Sequence, residues 1–194
     1  MAKGRPRSFD RDDALKRAML LFWRHGYDAT SISLLTGAMG IGAPSLYAAF
    51  GDKRALFKEA LDRYMASYGS FMVRSLEEEP DPRAAIERLL LGAAAMFTGG
   101  EHPPGCMIIT AATNCGPESA AVEKRLRTIR AGTVRAFEEK IASGGRSLPK
   151  GSSAHSLALF FSATLQGMSA QARDGATREE LEAIVRAAVG AWPA

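Results

Sequence analysis

The chain has 194 residues, 46% hydrophobic and 24% charged, a balance that excludes disorder and allows one substantial core or two small ones. The basic start MAKGRPR runs into SFDRDD rather than an apolar stretch, and the most apolar run, LALFFSATL at 157–165, is too short to span a bilayer, so a cytoplasmic location is expected. Residues 1–63 hold 11 Lys or Arg against 7 Asp or Glu, while residues 64–194 hold 14 of each, which suits a small module facing a polyanion joined to a neutral body.

Taken in chain order, nearly every segment reads helical. In DRDDALKRAMLLFWRHG, the apolar Leu15, Ala18, Met19 and Phe22 recur at i, i+3, i+4 and i+7. Asp10 with Asp13 supplies a cap, and Gly26 stands where the helix should stop. A short second helix opens at Thr30 or Ser31 and ends near Gly40, and a third covers residues 43–50 with Pro44 in its first turn. Three short helices in about 50 residues have the size of a helix-turn-helix module. A long fourth helix is expected over 53–79, stopped by EEEPDP. Further helices are expected at 83–98, 107–114 and 117–143, the last with a stripe of Val122, Leu126, Ile129, Thr133, Phe137 and Ile141. SGGRSLPKGSS interrupts the pattern before two final helices at 154–173 and 177–191, where Thr177 and Glu180 have capping-box spacing. No strand signal or internal repeat is evident. The sequence predicts an all-α protein of about nine helices.

The stretch TSISLLTGAMGIGAPSLYAAFGDKRALF at 30–57 resembles the DNA-binding signature of the TetR family of bacterial one-component regulators. Thr30, Gly40, Leu46, Tyr47, Phe50, Lys53, Leu56 and Phe57 fall at that family's spacings. Leu46 and Phe50 share one face at i and i+4 and should turn inward, leaving the Tyr47 phenol free for a phosphate. Lys53, at the start of the fourth helix, should hold a phosphate together with the helix N-terminus. The chain departs from the family at Gly42, where a Ser or Thr cap is usual, and at Ala43, Ala48 and Ala49, where larger side chains are common. Direct base readout by this small helix is therefore limited to Pro44, Ala43 or Ala48 against thymine methyls and one hydrogen bond from Ser45. Affinity comes mainly from phosphate contacts, for which Thr30 and Ser31 are further candidates. The arm KGRPR, with Lys3, Arg5 and Arg7, resembles an AT-hook core; it either reads a narrow minor groove or adds only charge.

The resemblance implies a DNA-binding domain at 1–52 and a helical effector-sensing and dimerisation domain at 53–194. A two-fold dimer on a palindromic double-stranded operator is expected, since one such module contacts few bases. The last two helices are the interface candidates through Leu157, Phe161, Leu165, Met168, Leu181, Ile184, Val185 and Ala188, or else they complete each subunit's own core. A small apolar or electrophilic effector would fill a pocket among the middle helices. Its candidate lining is Met65, Tyr68, Met72, Met96 and Phe97, with Met107 and Phe160.

Cys106 and Cys115 are nine residues apart, about 900° of helical turn, so on one helix they face opposite ways. Reduced thiols are the plain reading. The sharper one makes Cys106 a redox or electrophile sensor, its thiol acidified at a helix start after Pro103, Pro104 and Gly105. A metal site from His102, Cys106 and Cys115 lacks an evident fourth ligand, so no metal or cofactor is expected. Three histidines and no nucleophile motif or phosphate loop argue against an enzyme; a thiol enzyme pairing Cys106 with His102 is the alternative. The reading that best fits the residues is a dimeric DNA-binding repressor released by a small molecule.

Overall fold

The computed structural model describes residues 9–111, 115–144 and 153–193. The arm residues Lys3, Arg5 and Arg7 lie outside the described residues. Within them the regular structure is ten α-helices and one short 3-10 turn. Asp10 opens α1 (Arg11–His25), its carboxylate accepting from the Asp12 and Asp13 amides. Ser31 rather than Thr30 caps α2 (Ile32–Met39), its hydroxyl accepting from the Leu34 amide at 3.1 Å. Gly40 turns the chain at φ 67°, a left-handed value that glycine adopts readily, and leads into α3 (Ala43–Phe50). Gly42 gives α3 no side-chain cap, and Pro44 stands in the first turn, where its missing N–H removes no helical bond.

The expected fourth helix is two helices, α4 (Lys53–Ala66) and α5 (Ser70–Glu78). Ser67 leaves helical geometry at ψ −85°, and its hydroxyl donates to the Arg63 carbonyl at 2.7 Å. Gly69 runs so close to the preceding turn that a Cβ there would sit 3.2 Å from Met65 Cα. Ser and Gly together are a recognised cause of such a break. The apolar periodicity continues through it, which is why the sequence reads as one helix. This split accounts for ten helices where about nine are expected.

The chain continues through α6 (Pro82–Phe97), α7 (Met107–Thr110), the 3-10 turn Pro117–Ser119, α8 (Ala120–Ala142), α9 (Ala154–Arg173) and α10 (Arg178–Gly190). α7 is a single turn; residues 112–114 of the longer helix expected there lie outside the described residues. Thr177 and Glu180 form the capping box at the start of α10. The N-terminal helices close over Phe22, Leu35, Leu46, Phe50 and Phe57, and α6, α8, α9 and α10 close over Leu89, Leu126, Phe137, Phe161 and Leu181, all buried. Each such side chain contributes about 1.5–3 kcal/mol. The two sets belong to one continuous apolar core, within which Trp23 of α1 packs edge-on against Tyr64 of α4 at 4.8 Å. No single helix among the described residues is long and apolar enough to cross a membrane.

Candidate nucleic-acid interface and ligand cavity

The burial of Leu46 and Phe50 leaves the opposite face of α3 outward. Tyr47 is 50% exposed, Pro44 and Ala48 are exposed, and Ala43 and Ser45 are half-buried beside them. Ser31 at the start of α2 is also exposed. Thr30 is a correction: it is fully buried and its hydroxyl donates to the Gly26 carbonyl at 2.6 Å. Its side chain fastens the turn between α1 and α2 and is not available to a phosphate.

Lys53 begins α4, but its ammonium is already held. Nζ lies 4.4 Å from the centre of the Tyr27 ring and donates to the Asp28 carbonyl at 3.4 Å. Partial burial lowers its pKa, against the raising influence of the Asp28 charge. The Asp52 carboxylate accepts from the Ala55 amide at 2.7 Å and so occupies part of the helix N-terminus expected to hold a phosphate. Arg11, which no motif singles out, ties three helices together. Its guanidinium donates to Glu59 of α4 at 2.7 Å and to the Ala49 carbonyl of α3 at 3.2 Å, and lies 4.4 Å over the Phe50 ring.

The turn after α1 meets the body of the protein. The Tyr27 amide donates to the Ala111 carbonyl at 2.8 Å. Asp28 accepts from the Gly116 amide at 2.7 Å and from the Ser119 hydroxyl, bonds that draw its pKa below the ordinary value, the Ser119 one foremost. Ala111 follows α7 directly, and α7 forms a wall of the cavity.

That cavity measures about 300 Å³ and is bounded by α5, α6, α7, α8 and α9 with the end of α4. Met65, Met72, Met96 and Phe97 line it, as the sequence suggests, together with Cys106. Three expected lining residues lie elsewhere. Tyr68 packs edge-on against Trp23 and His102, with ring centres 5.1 and 4.8 Å away. Met107, the first residue of α7, is fully buried away from the cavity, and Phe160 is 43% exposed on the outer side of α9. Helical spacing alone does not distinguish an inner wall from an outer face. Ile108, Thr133, Gln166 and Arg130 also line the cavity; Arg130 could have been suspected from its place among the inward residues of α8.

Cys106 is buried, and its Sγ accepts from the Tyr64 hydroxyl at 3.3 Å. Its amide donates to Ser169 Oγ on α9 at 2.8 Å. Burial pushes the thiol up, outweighing the Tyr64 hydrogen bond and the Ile109 and Ile108 amides that lower it. The acidified thiol expected at a helix start is thus corrected: α7 is one turn long, and desolvation exceeds its field. His102 does not serve Cys106. Its ring stacks on Trp23 at 4.6 Å, and Nδ1 faces the Pro103 carbonyl at 3.0 Å. The described residues therefore contain no Cys106–His102 pair of the kind a thiol enzyme needs. They also contain no group of three His, Cys, Asp or Glu side chains able to hold a metal ion.

The interface candidates mostly point inward. Phe161, Leu165, Met168, Leu181, Val185 and Ala188 are buried in this chain's own core, with Leu157 and Ile184 partly buried against it. For the six buried residues this corrects the assignment to a dimer interface, because their side chains leave little surface for a partner. The outward face of α9 carries Leu159, Phe160, Ala163, Gly167 and Ala170, and that of α10 carries Ala183 and Ala187.

An all-helical chain with a helix-turn-helix at one end and a ligand-sized cavity in the body has the architecture of a bacterial regulatory protein. Residues 14–60 match the family described as bacterial regulatory proteins, tetR family. The chain is 36% identical to the transcriptional repressor ComR of Escherichia coli (strain K12) over 195 residues, covering 99% of this chain and 93% of that protein. It is 31% identical to the repressor BdcR of the same organism, covering 92% and 86%. It is similar also to a solved structure of a cysteine-substituted TetR family regulator, CifR, in complex with a 26-base-pair double-strand operator DNA. That likeness has 43% identity and a TM-score of 0.91, over 98% of this chain and 100% of that one. The chain belongs to the TetR family of transcriptional regulators.

Proposed function

We propose that this protein is a homodimeric repressor that binds a palindromic double-stranded operator and releases it when a small molecule with a largely apolar body fills the cavity. The observation that carries the DNA reading is the outward face of α3, on which Tyr47 is half exposed. The operator complex of the 43% identical relative supports it. Ser31, Tyr47 and Lys53 take phosphates, and Ala43, Pro44 and Ser45 approach the bases. A role on operator DNA supports a cytoplasmic location. The dimer forms through the outward faces of α9 and α10, where small side chains allow close helix approach, with Leu159 and Phe160 as the apolar anchors.

Release is carried by the path from cavity to turn. α7 lines the cavity, and Ala111 at its end holds the Tyr27 amide. A ligand that shifts α7 therefore acts on the Tyr27–Asp28 turn and on Lys53. α4, unbroken from Lys53 to the lining residue Met65, offers a second route between cavity and module. Effector and DNA then weaken each other's binding reciprocally. Cys106 faces the cavity as a neutral thiol, which favours reversible binding over modification as the ordinary signal.

Selection from random duplex DNA at two salt concentrations tests the DNA reading. An enriched palindrome whose half-site spacing reports the dimer geometry is expected. Strongly salt-dependent binding with no enriched sequence would refute sequence-specific regulation.

A further inference from the structure

Arg130 lies on the inward side of α8, between Leu126 and Phe137, and is half-buried. Among the described residues it is the one charged residue lining the cavity, whose other walls are chiefly Met, Phe, Ile, Leu and Val. A guanidinium carries five N–H donors. Here Nη1 donates to the Ile108 carbonyl of α7 at 2.9 Å. Among the described residues no carboxylate pairs with Arg130, whereas Arg11, Arg63, Arg88 and Arg125 each have one. A half-buried arginine that lines an apolar cavity, with no bond on Nε or Nη2 among the described residues, matches a planar two-oxygen acceptor. Thr133, one turn further along α8, and Gln166 from α9 line the same cavity and add neutral hydrogen-bonding groups.

The geometry points to an effector that is a small organic acid, its carboxylate on Arg130 and its apolar body among Met72, Met96 and Phe97. This rests on the reading of the cavity as the effector site. A cavity of about 300 Å³ is at the small end of ligand pockets and suits a medium-chain or single-ring acid. Arg130 also explains how such a ligand acts. The guanidinium that takes the carboxylate is bonded to Ile108 of α7, three residues before the Ala111 carbonyl that holds Tyr27. Reorienting it moves the segment that leads to the DNA-binding module.

Calorimetric titration of the full chain with octanoate and octanamide, and with 3-phenylpropionate and 3-phenylpropionamide, tests this. Each acid is expected to bind the wild type about tenfold or more tightly than its amide. The preference should vanish in Arg130→Gln and return in part in Arg130→Lys, with circular dichroism checking that both variants are folded. An acid preference that persists in Arg130→Gln overturns the role of Arg130. Equal binding of acids and amides, abolished when Gly132→Trp fills the cavity, overturns the carboxylate while leaving the cavity reading intact. Failure of all four probes to bind overturns both.

Discussion

Gly105→Ala is expected to lower stability by about 3 kcal/mol, and the structure shows where that figure arises. Gly105 has φ 78°, a left-handed conformation that an L-residue adopts at a cost of roughly 1–2 kcal/mol. A Cβ there would come within 2.7 Å of the Ser169 carbonyl oxygen and 2.9 Å of its Oγ. The carbonyl belongs to the α9 backbone and cannot swing aside, so the overlap adds about 1–3 kcal/mol. It also crowds the Ser169 hydroxyl that accepts the Cys106 amide at 2.8 Å, the bond that anchors the cavity wall to α9. For a chain of this size the melting temperature should fall by about 6–12 °C, read by circular dichroism. Gly100→Ala is the control, since no atom lies within 4 Å of its Cβ position and its φ is not positive. If Gly105→Ala melts within about 2 °C of the wild type, α9 does not press on this turn and the anchoring argument is wrong.

Tyr47→Phe should weaken operator binding by about 1 kcal/mol without altering the melting temperature, because Tyr47 is half exposed; unchanged affinity by fluorescence anisotropy would remove it from the phosphate contacts. Asp28 is held below its ordinary 3.8 by the Ser119 and Gly116 bonds, so its contribution is present above that pH and is lost as pH falls through the lower folded-state value. Asp28→Asn should therefore narrow the stability gap to wild type as the medium is acidified, in melting curves taken from pH 6 to 3; a gap independent of pH contradicts the linkage. Cys115 is less buried than Cys106 and should react first with iodoacetamide in timed mass spectrometry, Cys106 following only on unfolding. Ala163→Glu, on the outward face of α9, should shift the protein toward monomer in light scattering while preserving helical content; an intact dimer would place the interface elsewhere.

Local chemistry settled much of this protein in the sequence alone. Asp10, Gly40, the Thr177–Glu180 pair and the i, i+4 spacing of Leu46 and Phe50 act within one or two turns, and the helices they delimit stand where expected. The fold class and the outward Tyr47 follow from that local order. Tertiary packing decided what periodicity leaves open. α9 has two faces with apolar or small residues, and only its neighbours α6, α8 and α10 determine that Phe161 and Leu165 turn inward while Phe160 and Ala163 turn out. The break at Ser67–Gly69 has only a Ser and Gly signal in the sequence, weaker than a proline, and the close backbone approach at Gly69 appears only in the fold. Thr30, Asp28, Cys106 and Arg130 acquire their roles from Gly26, Ser119, Tyr64 and Ile108. The last three partners are 91, 42 and 22 residues away in the chain. Burial and hydrogen bonding over such separations come only from the packed body, which is why the thiol is neutral and the cavity cationic at one point.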